Sequence, residues 1–304
     1  MQFKFHTLDV FTDTRFGGNP LAVVHGADGL SGETMQAIAA EFNLSETVFV
    51  MKPAAASHSA KIRIFTPAME LPFAGHPTVG TGALLAELRA ADVGGGGDAL
   101  VILEEQIGLL RVGVKMGSAN GTTFAEFDAP KIPEAVDEVP PLEDIAVAVG
   151  LIPGEIGFSN HRPMVFEGGA RFLYLPVASR SILAKAAPNL KHWGGVFKDL
   201  KGIGVYLYCN QPEHMRAHFR ARMFAPDHGI MEDPATGSAA AVFAGVIQHF
   251  DKLPDGVHKR LIEQGYEMGR PSNIVVSLEV ERGVLAGVRI GGHCVRVSDG
   301  MLTI

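Results

Sequence analysis

Two stretches of this chain are almost free of charge and rich in small residues. Residues 234–250 carry no Asp, Glu, Lys or Arg over 17 positions, and residues 71–86 form the second-longest such stretch. A helix without a polar face has to be buried on nearly every side. Each stretch therefore demands its own wrapping of strands, and the flanking sequence repeats to match. Arg63-Ile64-Phe65-Thr66-Pro67 echoes Arg222-Met223-Phe224-Ala225-Pro226. Pro77-Thr78-Val79-Gly80-Thr81-Gly82 echoes Pro234-Ala235-Thr236-Gly237-Ser238-Ala239. Leu103-Glu104 with Gly108 and Leu110 echoes Leu278-Glu279 with Gly283 and Leu285. The order in both halves is strand, Phe-x-Pro, loop, proline-initiated helix, strand pair. In this register His76 takes the place of Asp233, with Asp233 as the N-cap of the second helix and Pro234 at its first position. Two similar lobes would bring two helix N-termini to one cleft, and helix N-termini attract anions.

Coarse organisation follows the same division. Strands are expected at 3–11, 21–24, 47–50, 61–66, 100–104, 109–115 and 122–127, with Ser31 capping a helix whose Met35, Ile38, Ala39 and Phe42 share one face. The tract 94–97 reads as a surface turn, and Pro130, Pro133, Pro140 and Pro141 as an inter-domain linker. Beyond it come a short helix at 142–149, strands at 172–177, 204–209 and 217–224, the second uncharged helix, and three closing strands at 274–280, 284–290 and 294–298. Strands that dominate both halves, each around one apolar helix, make an α+β class of two pseudo-symmetric lobes, each a curled mixed β-sheet. The lobes are set at residues 1–128 and 129–304, with the terminal strands free to cross back to the first.

A formal net charge of −7 without a basic cluster argues against nucleic acid as a partner. The 17 uncharged residues only reach the lower limit of a membrane span and include Gln248 and His249, so a core helix is the better reading. The strand-like start points to a cytoplasmic protein without a signal peptide. Two cysteines, Cys209 and Cys294, make neither a disulfide framework nor a cysteine zinc site. His214 and His218 lack a zincin glutamate, so no metal is expected.

Glu46, His76, Asp233 and Ser238 are the residues that can carry chemistry. Each has a plainer role: a solvated strand-start carboxylate for Glu46, helix caps for His76 and Asp233, a packing residue for Ser238.

Taken together, Asn19-Pro20-Leu21-Ala22-Val23-Val24, Asn43-Leu44-Ser45-Glu46-Thr47, Phe65-Thr66-Pro67, Gly75-His76-Pro77-Thr78-Val79-Gly80 and Glu232-Asp233-Pro234-Ala235-Thr236-Gly237-Ser238-Ala239 resemble the PhzF-like phenazine-biosynthesis isomerases over essentially the whole chain. The resemblance implies a diaminopimelate-epimerase-like fold and a proton-shifting isomerase without cofactor or metal. It implies that Glu46 is the general acid/base, that His76 and Asp233 complete the catalytic set, and that Gly75, Gly237, Ser238, Asn19 and Ser45 bind substrate. Ala74 and Thr236 stand where related epimerases carry their two thiols, which argues against thiol racemisation.

The expected reaction is a proton shift on a small cyclic or unsaturated carboxylic acid held between the lobes, in a cytoplasmic enzyme that the resemblance makes a homodimer. A racemase or epimerase of amino or imino acids using non-thiol bases is the alternative enzyme. A non-catalytic carboxylate-binding protein is the alternative outside enzymes, disfavoured by the extra negative charge that Glu46 brings to an anion site.

Overall fold

The computed structural model describes residues 1–94, 96–117, 122–136, 139–200 and 202–304, without the Val93 side chain. The chain divides into two compact units, Met1–Asp128 with Gly291–Ile304, and Ala129–Ile290.

The first unit runs β1 (Gln2–Val10), β2 (Asn19–His25), α1 (Gly32–Phe42), β3 (Glu46–Met51), β4 (Ala60–Phe65), β5 (Glu70–Leu71), α2 (Gly75–Val93), β6 (Asp98–Glu105), β7 (Gly108–Lys115) and β8 (Thr123–Asp128). Its strands pair in both senses: β1 with β2, β3 with β4, and β6 with β7 antiparallel, β2 with β3 and β4 with β6 parallel. Helix α2 touches β1, β2, β3, β6, β7 and β8, so the sheet curls around it. Residues 75–84 of that helix are buried without exception. The two glycines of Gly80-Thr81-Gly82 make the enclosure possible. A Cβ at Gly80 would stand 2.6 Å from Leu21, and one at Gly82 would stand 2.6 Å from Val112. α1 lies on another face of the sheet, its Met35, Ile38 and Ala39 packed with Val24, Phe49 and Phe65. Ser31 caps it by accepting from the Thr34 N–H at 3.1 Å, a contact worth about 1 kcal/mol.

The second unit contains β9 (Glu134–Val136), α3 (Leu142–Ala148), β10 (Met164–Glu167), β11 (Arg171–Pro176), α4 (Arg180–Lys185), α5 (Leu190–Val196), β12 (Gly204–Cys209), β13 (Phe219–Ala225), β14 (Ile230–Asp233), α6 (Gly237–Asp251), β15 (Gly256–Gln264) and β16 (Ser272–Glu281). Period-two alternation divides its core. Val205, Leu207 and Cys209 of β12 join Leu173 and Leu175 of β11 against Trp193, Phe197 and Leu183 of the short helices. Tyr174, Tyr206 and Tyr208 point the other way, where their rings surround Phe243 of α6, Tyr174 stacked on it and Tyr208 edge-on. The closing strand β17 (Val284–Thr303) leaves this unit after Ile290 and pairs with β1. It is one strand where two were expected. Among the described residues no helix is long and apolar enough to cross a membrane.

Several expected boundaries move. Within the proline-rich stretch, Glu134–Val136 form β9 and pair with β10, so it is sheet rather than linker; Asp137 and Glu138 lie outside the described residues. Gly94 closes α2 in the left-handed conformation, and Gly95 lies outside the described residues. Both central helices start elsewhere than their prolines. α2 begins at Gly75 with Ala74 as N-cap, and α6 begins at Gly237 with Thr236 as N-cap. Asp233 instead ends β14.

The repeat is present, but its helix register shifts. In β4 and β5, Arg63 donates Nε and Nη2 to the two Glu70 oxygens, both at 2.7 Å. In β13 and β14, Arg222 does the same to Glu232 at 2.7 and 2.8 Å. Each guanidinium also lies over the phenylalanine two residues on, Phe65 or Phe224. Glu70 precedes Gly75 by the same five positions that separate Glu232 from Gly237. The counterpart of Pro234 is therefore Pro72, and that of Asp233 is Leu71. His76 has its own place, second in its helix.

Candidate active site

Glu46 and His76 are brought together in the first unit by two different elements. α1 ends at Asn43, whose left-handed conformation turns the chain through Leu44 and Ser45 into β3. Glu46 is the first residue of that strand, opposite Leu21 in the parallel pairing with β2. His76 sits in the first turn of α2. The Nε2 of His76 lies 3.3 Å from Glu46 Oε2, and both side chains are buried, at 4% and 12% exposure.

The second ring nitrogen settles the tautomer. The His76 ring hydrogen-bonds to the Pro20 carbonyl, while Nε2 makes no hydrogen bond, so the bond belongs to Nδ1. A carbonyl only accepts, so Nδ1 donates to it and a neutral ring has no second proton for Nε2. Burial pushes the His76 pKa down to about 3, only partly opposed by the Pro20 bond. At neutral pH this imidazole is a neutral ring with its Nε2 lone pair turned toward a carboxyl group.

Pro20 is held in place by the turn before it. Gly18 adopts φ +61°, and a Cβ there would come within 2.3 Å of the Val10 carbonyl, so only glycine fits. Asp9 Oδ2 accepts the Phe16 N–H at 2.6 Å and closes the loop. Asn19 follows as the fully buried first residue of β2, beside the carbonyl His76 uses. Ser45 is half-buried next to Glu46.

The second unit places Asp233 in a buried network of its own. The Thr236 hydroxyl donates to Asp233 Oδ2 at 2.5 Å and accepts from Gln264 Nε2 at 3.0 Å. Gln264 also donates to the Asp233 carbonyl at 2.8 Å and accepts the Thr236 N–H at 3.2 Å. The Tyr206 phenol is pushed far up by burial and by the Asp233 charge. Gly237 and Ser238 open α6 immediately after this network. Neither Thr236 nor Ala74 caps its helix through its own side chain, and the first N–H groups of any helix have no partner within it.

Thiol chemistry has no place in this arrangement. Cys209 and Cys294 are buried in strands, and burial raises both thiols above their ordinary pKa. His218 Nδ1 accepts the Leu261 N–H, and the His214 ring lies near the Tyr266 ring.

The model of the phenazine biosynthesis-like proteins, PhzC-PhzF, matches residues 8–300. The chain belongs to this family. It is 46% identical to an uncharacterized isomerase of Mesorhizobium japonicum over 308 residues, covering all of both chains. It is 31% identical to the trans-2,3-dihydro-3-hydroxyanthranilate isomerase of Pseudomonas aeruginosa, with 98% of each chain covered. The crystal structure of the Bacillus anthracis phenazine biosynthesis protein of the PhzF family matches with a TM-score of 0.88 at 27% identity, covering all of both chains. The α+β architecture of two similar units is thus that of the PhzF family, and the chain is an isomerase of the isomerase/epimerase type.

Within the PhzF frame, two residues that the sequence alone did not single out stand out. Gln264 supports the Asp233 turn from β15, a strand whose run His258-Lys259-Arg260 gives no apolar alternation to mark it. Glu105, at the end of β6, is a buried carboxyl against the first turn of α2. Nothing in the linear pattern of Glu104-Glu105 distinguishes the outward carboxylate from the inward one except strand alternation counted from Leu103.

Proposed function

We propose that this protein is a cofactor-independent isomerase in which Glu46 removes a proton from one carbon of a small, unsaturated or cyclic carboxylic acid and returns it to another. The buried contact of Glu46 with the neutral His76 ring supports this reading most directly. An acid/base carboxyl must hold its proton part of the time and release it the rest, near the working pH. A lone pair at 3.3 Å, in a dry setting, gives the protonated form of Glu46 an acceptor without placing a positive charge beside the carboxyl.

The remaining roles follow from charge and reach. The helix N-terminus at Gly75 and the one at Gly237 are each suited to an acid group through their N–H groups and helix dipoles. Ser238 takes a polar substituent, Asn19 and Ser45 line the Glu46 side, and Asp233 relays or orients the proton. The named substrate of the Pseudomonas relative is itself a ring-borne carboxylic acid, and we extend that chemical class, not that compound, to this chain. We take the enzyme to work in the cytoplasm as a homodimer, which light scattering on the purified protein checks.

The experiment is solvent exchange. trans-2,3-Dihydro-3-hydroxyanthranilate and related unsaturated carboxylic acids are incubated with enzyme in D2O and examined by NMR. Deuterium is expected at carbon with wild type and not with Glu46→Gln. A Glu46→Gln enzyme that exchanges at the wild-type rate removes the acid/base assignment.

A further inference from the structure

Thr78 stands in the first turn of α2 with two oxygen neighbours and a single hydroxyl proton. Its Oγ1 is 2.8 Å from the Ala74 carbonyl and 2.7 Å from Glu105 Oε1. The carbonyl can only accept. When the hydroxyl proton serves Ala74, the short contact to Glu105 is a hydrogen bond only if Glu105 supplies the proton. The other Glu105 oxygen, Oε2, is buried and has no hydrogen-bond partner, a setting that penalises a charged carboxylate.

Among the described residues, no neighbouring cation offsets that penalty. Three elements pack against β6: β7, β4 and α2. Arg111 and Lys115 of β7 alternate outward from the buried Leu110, Val112 and Val114, and Lys61 and Arg63 of β4 alternate outward from Ile62 and Ile64. Glu104, on β6 itself, faces outward to His58. On α2, His76 is neutral, Glu87 accepts from Thr123, and Arg89 and Asp92 lie exposed near its far end. Burial, opposed only by the Thr78 bond, raises the Glu105 carboxyl to about 8.

We propose that Glu105 is a positioning residue for the proton-transfer reaction: as a neutral carboxylic acid it donates to Thr78, which donates to Ala74, and this relay fixes the turn that carries Gly75 and His76. The proposal rests on the acid/base reading of the Glu46–His76 pair. When Glu105 ionises, it needs a donor, and among the described residues the one within hydrogen-bond distance is the Thr78 hydroxyl. Thr78 then turns from Ala74 to Glu105, the side-chain bond on the N-cap carbonyl is lost, and the first turn of α2 loosens beneath His76. Glutamine at this position keeps the donor through its amide and cannot ionise.

The test combines exchange kinetics with infrared spectroscopy on the full-length protein. For wild type, the kcat/KM of solvent exchange is expected to fall by about tenfold per pH unit above the Glu105 ionisation. Glu105→Gln is expected to keep most of the pH 7 rate and to lose that alkaline limb, whereas Glu105→Leu loses rate at every pH. A wild-type minus Glu105→Gln infrared difference at pH 7 is expected to contain the carbonyl stretch of a protonated carboxyl. Absence of that band at pH 7 overturns the neutral relay. A band with an unchanged alkaline limb in Glu105→Gln overturns the positioning role. A Glu46→Gln enzyme exchanging at the wild-type rate removes the acid/base reading and the role given to Glu105 with it, but leaves the infrared band in place, so the two failures read differently.

Discussion

His76 meets Glu46 with an acceptor, not a donor: its N–H is committed to the Pro20 carbonyl, and its Nε2 lone pair lies 3.3 Å from Glu46 Oε2. The usual picture of a histidine that charges and pairs with a carboxylate therefore does not apply here. In the proposed reaction the ring would receive a hydrogen bond from a protonated Glu46 and hold that carboxyl in one orientation. Replacing His76 by Asn should move the acceptor out of place and lower proton exchange by about 10²-fold or more. It should leave substrate binding, measured by calorimetry, much less affected. A His76→Asn enzyme with wild-type kcat would place the ring outside the chemistry.

The same ring sets an acid limit to stability. Its folded pKa, about 3, lies below its unfolded value of 6.5, so the unfolded chain binds the proton first. Stability is whole above pH 6.5 and is lost as pH falls from there toward 3, by at most roughly 1.4 kcal/mol per pH unit from this group. His25, lowered to about 4 by burial and by His6 beside it, acts in the same direction. Urea midpoints measured from pH 7 to pH 4 should fall less steeply in His76→Gln than in wild type. Parallel slopes would mean that the ring is not buried neutral.

How much of this was legible in the chain depends on which interaction carried the signal. The uncharged helices, the Arg-x-Phe-x-Pro repeat and the turn delivering Glu46 are local patterns, and each appears where the sequence places it. The helix starts did not follow their prolines. Pro77 is the third helical residue of α2, and Pro234 lies three positions before α6, because the paired Arg–Glu forks set where each chain leaves the sheet. That pairing between neighbouring strands shifts the repeat register, so Asp233 and His76 are not counterparts. α4, α5 and β15 were missed for a related reason. The two helices are only six and seven residues long and carry little periodicity. β15 opens Gly256-Val257-His258-Lys259-Arg260 without apolar alternation before Leu261, so its end at Gln264 has meaning only beside Asp233 and Thr236.

Gln264 offers a separable test of the Asp233 turn. It is fully buried and makes contacts to the Asp233 carbonyl and to both the N–H and hydroxyl of Thr236. Gln264→Met keeps the volume and removes both polar ends. The unpaired backbone groups should cost about 1–3 kcal/mol each, read as a lower urea midpoint. If Asp233 works on the substrate, kcat should also drop at temperatures where the variant is fully folded. Lost stability with unchanged kinetics would leave Asp233 as a structural carboxylate.

The two Arg–Glu forks give matched geometry in unequal surroundings, which makes them a test of burial itself. Arg63 and Glu70 remain about a quarter exposed, so water screens the pair and competes for both partners. Arg222 is 8% exposed, and its Nη1 additionally donates to the Leu183, Ala184 and Ala186 carbonyls at the end of α4. Lysine at either position keeps the charge but loses the fork. Arg63→Lys should therefore change stability by no more than about 1 kcal/mol. Arg222→Lys leaves the half-buried Glu232 carboxylate poorly matched and several carbonyls without a donor, and should lose about 3 kcal/mol or more. The difference should persist in high salt, which weakens only the exposed pair. Equal losses at the two positions would mean that the α4 carbonyls contribute nothing to holding Arg222.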